Sequence, residues 1–180
     1  MKFVKTGFKD LTEIYPKVFK DDRGLFFESW NKNVFTEHGI NYEFKQDNQS
    51  ISQKNVLRGL HFQVPPHEQG KLVRVASGKA LDVVVDLRKN ETTYGKHHKV
   101  ILSAEENNML WVPPGFAHAF LAMENNTIFV YKCSGLYNKE SERIIKWDDD
   151  YLDIDWGVES PIVSEKDKEG VCFSDYRSPF

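Results

Sequence analysis

The sequence lacks most of the features that assign a protein at sight. It holds only two cysteines, Cys133 and Cys172. They are too few and too far apart for a disulfide framework or a zinc motif, so two free thiols in a reducing cytosol are expected. No run reaches the ~18 apolar residues that a membrane span needs. The opening stretch MKFVKTGFKDLTEIYPKVF has no apolar h-region, and no signal peptide is expected. Neither sign of charge dominates: 24 Lys and Arg stand against 27 Asp and Glu, for a net charge of −3. That balance speaks against duplex DNA or RNA as a partner, because such binders carry a basic excess. Repeats, low-complexity tracts and linkers are absent as well. Aromatic residues make up 13% of the chain, more than a solvated, unfolded chain carries.

What is present is a succession of short apolar runs rich in Val, Ile, Phe and Tyr. Gly, Pro, Asn or Asp separate them, which is the pattern of an all-β protein. Strands are expected at LFFESW, LRGLHFQ, KLVRVASG, ALDVVVDLR, HKVILSA, NMLWVPP, AHAFLAM and TIFVYKCS. WNKNVFTEHGI is the best helix candidate. From about Trp147 the chain turns acidic and less periodic, and is expected to wrap the rest as loops and short helical turns. The 180 residues suit one domain, 1–180, with a full core. Eight evenly spaced strands in that length suggest a jelly roll or small barrel with a ligand in its mouth.

The segment VLRGLHFQVPPHEQGKLVRV (Val56–Val75) sets a problem. It reads as two core strands, yet it carries Arg58, His61, Lys71 and Arg74. An unpaired charge in a dry core costs several kcal/mol, so the cations imply a polar pocket. Arg58 and His61 lie an odd number of residues apart, which places them on opposite faces of a regular strand. A bulge at Gly59 would reset the alternation and send both into one pocket.

Of these residues His61 suits proton abstraction near neutral pH. Cationic Arg58 and Lys71 nearby disfavour its charged form, and a carboxylate on the other ring nitrogen would orient it. Sequence alone does not choose that carboxylate. A metal site built from His61, His67, His118 and Glu68 is the competing reading. It is weakened because Gln63, not a histidine, stands two residues after His61. Lys71 and Arg58 suit anion stabilisation. Tyr131 would complete an acid/base pair opposite a histidine, and Tyr137 offers a flat face for a base. In WVPPGFAHAF the turn explains Pro-Pro-Gly but not His118.

With these residues in hand, the sequence resembles the dTDP-4-dehydrorhamnose 3,5-epimerase family. The resemblance is carried by DDRGLFFESW, QDNQSISQKNVLRGLHFQVPPHEQGKLVRV, ALDVVVDLRKNETTYGK, LWVPPGFAHAF, ERIIKWDD and IVSEKD, and spans nearly the whole chain. It implies a cupin-type jelly-roll barrel with short peripheral helices. It assigns His61 as the base, Asp167 as its partner carboxylate, Tyr131 as the acid and Lys71 as a substrate-contacting catalytic group. It also implies that Glu28, Gln46, Asp47, Asn48, Arg58, His118, Glu142 and Lys166 contact substrate, and that Tyr137 stacks on thymine. Arg23 matches an arginine that reaches the neighbouring subunit's nucleotide, which implies a homodimer. Ala119 departs from the glycine often found there, a matter of local packing. The implied reaction inverts C3 and C5 of a dTDP-4-keto-6-deoxyhexose through an enolate, with no metal or other cofactor, nucleic acid or membrane involved. A mono-epimerase acting on a related nucleotide sugar would carry the same residues. A non-catalytic sugar-binding cupin would not need both His61 and Tyr131.

Overall fold

The computed structural model describes all 180 residues. The strands are β1 (Lys2–Lys5), β2 (Thr12–Tyr15), β3 (Val18–Asp21), β4 (Gly24–Phe27), β5 (Gln46–Ser52), β6 (Val56–Gln63) and β7 (Lys71–Ser77). They continue with β8 (Lys79–Asp86), β9 (His97–Ser103), β10 (Met109–Val112), β11 (Phe116–Ala122), β12 (Thr127–Cys133), β13 (Glu142–Ile144) and β14 (Ile162–Val163). Two short helices, α1 (Lys32–Glu37) and α2 (Glu165–Lys168), and a 3-10 turn at Phe173–Asp175 complete the elements. No helix is long and apolar enough to cross a membrane.

The strands form two large sheets. The first runs β1-β2-β10-β7-β12-β5, and the second β13-β6-β11-β8-β9 with β14 beside β6. The all-β jelly-roll expectation holds, and so does the helix. All eight expected strands are present. Six more form around them: β1, β2, β3, β5, β13 and β14.

Strand periodicity divides the apolar residues into three packed layers. Between the sheets, Val73, Val75 and Phe129 of the first meet Ala80, Val84, Phe116 and Phe120 of the second. Phe120 and Phe129 stack across the gap with centroids 4.0 Å apart, worth about 0.5–1.5 kcal/mol beyond their burial. On the outer face of the second sheet, Leu57, Leu60, Phe62, Val83 and Val85 are covered by Leu152, Trp156 and Phe173 of the C-terminal segment. β8 is thus buried on both faces, which is why three valines run consecutively there. On the outer face of the first sheet, Phe35 of α1 packs with Ile14, Met109 and Trp111. Asn31 caps α1, its side chain accepting from the backbone N–H groups of Asn33 and Val34.

β6 carries the expected irregularity. His118 of β11 pairs with His61 but Phe120 pairs with Arg58, so three residues of β6 span the distance of two on β11. Gly59 has φ of +131° and its peptide bond to Leu60 is cis. With this bulge in the register, Leu57, Leu60 and Phe62 face the outer layer, while Arg58 and His61 share the inner side. Arg74 departs from the pocket reading. It alternates with Lys71, Val73 and Val75 and points to the opposite face of the first sheet.

Gly59 is required here for two reasons. A Cβ at this position would collide with the Ala119 side chain and lie 2.6 Å from the His118 carbonyl oxygen, and the positive φ is one that L residues rarely adopt. Gly59→Ala is expected to lower unfolding free energy by about 3 kcal/mol or more. Urea denaturation measures this, and an alanine variant with the parent's midpoint would refute the packing account.

Candidate active site

The inner side of the two sheets opens into a cavity of two joined lobes, of about 290 and 260 Å³. His61, Lys71 and Tyr131 border both lobes. The deeper lobe adds Arg58, His118, Ser164, Lys166 and Asp167. The outer lobe adds Gln46, Asn48, Tyr137 and Glu142. Residues from distant parts of the chain thus meet on facing strands, as the alternation of each strand dictates.

His61 Nε2 lies 2.5 Å from Asp167 Oδ1. An ionised carboxylate only accepts hydrogen bonds, so Nε2 carries a proton and Nδ1 is the ring nitrogen not engaged by Asp167. The Gly59 N–H donates to Asp167 Oδ2 at 3.4 Å, and the Asp167 N–H donates to the Ser164 hydroxyl, which caps α2. Burial pushes the Asp167 carboxyl upward, but the His61 hydrogen bond and charge outweigh it and hold the group below the usual aspartate range. The carboxylate is therefore ionised at neutral pH, the state that orients an imidazole.

Lys71 stands at the floor of the cavity, its Nζ donating to the His61 carbonyl oxygen at 3.4 Å. Burial pulls its pKa below the ordinary lysine value, while Cys133, Asp82 and Glu142 oppose the shift. Its ammonium has no carboxylate within ion-pair distance. Tyr131 faces His61 from the other sheet. Burial raises its pKa above the ordinary tyrosine value, so the hydroxyl keeps its proton at neutral pH.

His118 lies directly across from His61 in the β6–β11 register. Its Nε2 is 2.8 Å from Asp82 Oδ2, and both side chains are buried. Asp82 was not singled out from the sequence, though a signal was there: a carboxylate inside a valine run needs a partner. At the mouth, Glu142 Oε2 receives both Lys166 Nζ, at 2.5 Å, and the Tyr137 hydroxyl, at 3.0 Å. Burial raises the Glu142 pKa, and the bonds from Lys166 and Tyr137 more than reverse the shift.

Three expected contacts do not join this cavity. Asp47 alternates with Gln46 and Asn48, so it emerges on the opposite face of β5 and pairs with Lys132 at 2.9 Å. Arg23 sits at the tip of the β3–β4 hairpin and pairs with its neighbour Asp21. Glu28 follows that hairpin and accepts from Asn31 Nδ2. The ligands of the metal reading, His61, His67, His118 and Glu68, do not converge into a cluster.

Comparison with known proteins identifies the family and the fold. A family model described as dTDP-4-dehydrorhamnose 3,5-epimerase matches residues 5–175. The dTDP-4-dehydrorhamnose 3,5-epimerase of Shigella flexneri is 48% identical over 176 residues, covering 97% of each chain. The crystal structure of the Elizabethkingia anophelis enzyme superposes with a TM-score of 0.93 at 47% identity, again over 97% of each chain. The Legionella pneumophila enzyme, solved with dTDP-4-keto-L-rhamnose, gives a TM-score of 0.93 at 40% identity, over 98% of this chain and 94% of that one.

The His118–Asp82 geometry predicts a readout independent of any reaction. Asparagine at position 82 can present its NH₂ to the ring instead of an oxygen. Asp82→Asn is expected to change the tautomer of His118, visible in imidazole ¹⁵N shifts, and to lower stability by about 1–3 kcal/mol. Unaltered ¹⁵N shifts would show that Asp82 does not set the ring.

Proposed function

The chain belongs to the dTDP-4-dehydrorhamnose 3,5-epimerase family, and from that premise we propose that His61, Asp167, Lys71 and Tyr131 perform the double inversion. The protein is an isomerase of dTDP-rhamnose biosynthesis. Its substrate is dTDP-4-dehydro-6-deoxy-D-glucose and its product dTDP-4-dehydro-L-rhamnose. The C4 ketone makes the C3 and C5 protons labile and takes up the electron pair as an enolate, so the chemistry needs no electron sink from a metal or redox cofactor.

The observation that carries the residue assignment is the placement of His61 and Tyr131 on facing sheets, with Lys71 beside both. His61 Nδ1 removes the proton from one face of the sugar, and Asp167 steadies the resulting imidazolium through Nε2. Lys71 donates to the enolate oxygen, a term worth roughly 3–4 kcal/mol. Tyr131 returns a proton to the other face, which inverts the centre. Arg58 and Lys166 supply positive charge for the diphosphate. Tyr137, exposed at the mouth, stacks on thymine. Gln46, Asn48, His118 and Glu142 supply the remaining polar contacts.

Residues 1–180 act as one cytoplasmic domain that assembles as a homodimer. The β3–β4 hairpin supports this reading. It stands apart from both large sheets and exposes Phe19, Leu25 and Phe26, and it carries Arg23 away from its own cavity. In the dimer that arm brings Arg23 to the neighbouring nucleotide.

The test is hydrogen exchange in D₂O, followed at C3 and C5 by NMR with the product trapped by a reductase. Deuterium is expected at both carbons. Label at one carbon alone would identify a mono-epimerase, and no label would remove the assigned substrate. His61→Ala should slow turnover by ~10²–10⁴-fold while dTDP affinity is kept. Joint loss of activity and dTDP binding would give His61 a structural role instead. Tyr131→Phe should depress inversion more than exchange, and an equal fall in both would exclude it as the second-face acid.

A further inference from the structure

One buried group beside the cavity-lining Lys71 has no part in the mechanism above. Cys133 is 1% exposed and lies opposite Lys71 on one side and Gln46 on the other. Its sulfur ends a chain of side-chain amides. The backbone N–H of Tyr137 donates to Gln46 Oε1 at 2.8 Å. Gln46 Nε2 donates to Asn48 Oδ1 at 3.0 Å, and Asn48 Nδ2 reaches Cys133 Sγ at 3.7 Å.

The direction of this chain is fixed at its head. A backbone N–H can only donate, so the Gln46 oxygen must face Tyr137 and its NH₂ must face Asn48. The Asn48 oxygen is then taken, and its NH₂ edge is turned toward Cys133, whose sulfur must accept. Asn48 is also the register partner of Tyr131. Both side chains border the same lobe. Against the burial that raises the tyrosine's pKa, the Asn48 side chain acts on the Tyr131 hydroxyl as a hydrogen-bond partner that lowers it, the effect of a donor that stabilises the phenolate left after proton transfer. Were the amide reversed, its oxygen would face that phenolate and oppose its formation.

We propose that Cys133 is a positioning residue, which together with Gln46 fixes the donor edge of Asn48 toward Tyr131. The inference deepens the reading of Tyr131 as the second-face acid and rests on it. It also links the backbone of Tyr137 to Asn48 through two hydrogen bonds, and a third joins Asn48 to Cys133. Burial raises the Cys133 pKa, with the Lys71 charge and the Asn48 bond opposing, so the group stays a neutral thiol.

Two variants of the full-length protein test this. Cys133→Ala removes the acceptor, and Cys133→Ser restores one of nearly the same size. The alanine variant should lose about tenfold in kcat, the weight of one hydrogen bond, with KM and dTDP affinity unchanged, and its inversion should fall further than its C3 and C5 exchange. The serine variant should recover to within about threefold of the parent, as an oxygen acceptor serves the same amide. Full activity in the alanine variant would overturn the proposal. So would equal loss in both variants, which would mean that the sulfur matters only as packing volume. Tyr131→Phe measured alongside judges the acid assignment separately. If it leaves the ratio of inversion to exchange unchanged, that assignment fails, while the alanine–serine pair still decides whether Cys133 anchors Asn48.

Discussion

The cavity depends above all on the two-point grip of the Asp167 carboxylate on β6. One oxygen holds the His61 ring and the other faces the Gly59 N–H. Both contacts exist only because the strand bulges at Gly59, which turns His61 inward and leaves a backbone N–H free of the ladder. Asp167 comes from the far end of the chain, so its grip requires that the C-terminal segment be docked. That docking is hydrophobic: Leu152, Trp156 and Phe173 bury against the outer side of the second sheet, each contributing roughly 1.5–3 kcal/mol for full burial. β14 then pairs in parallel with β6, and the Ser164 cap aims α2 at the histidine. The apolar outer layer thus sets the geometry of a polar inner site.

Charge within the cavity is divided rather than neutralised pair by pair. Asp167 is committed to His61, Asp82 to His118, and Glu142 to Lys166 and Tyr137. Lys71 is left without a carboxylate of its own. A buried lysine Nζ so placed is an incomplete pair, completed by whichever anion arrives. An enolate oxygen is such an anion, formed only during the reaction, so the interaction favours the transition state over the ground state.

The parts of this arrangement that could be read in the sequence are those with strong local periodicity. β6, β7, β8, β11 and β12 carry enough Val, Leu and Phe to declare themselves, and the odd spacing of Arg58 and His61 around a glycine pointed to the bulge. β1, β2, β3 and β13 are only three or four residues long, and β14 two, which is too short to establish a period. β5, QDNQSIS, is polar on both faces because one faces the cavity and the other the surface, so no apolar alternation marks it. At Arg74 proximity to Lys71 hides what parity states: three residues apart on a regular strand, the two side chains leave on opposite faces. At Asp47 the adjacency of Gln46, Asp47 and Asn48 in one motif hides the strand geometry, which sends the middle residue to the opposite face from its neighbours. The pairing of His61 with Asp167 spans more than a hundred residues, and no local pattern shows it; the family resemblance supplied that partner.

The two histidine–carboxylate pairs are held in different ways. His118 and Asp82 both belong to central strands of the second sheet, adjacent in register at the Asp82–Phe120 and His118–Val84 pairings, so that pair lies within a single strand pairing. His61 also lies on the sheet, but its partner arrives on the C-terminal wrap. The His118 pair is thus held within the sheet, whereas the Asp167 grip on His61 is held only as long as the wrap is docked. An unheld imidazole loses both its fixed tautomer and the carboxylate that stabilises its charged form. Base function is thereby made conditional on the last layer of the fold, although the base itself sits in the sheet.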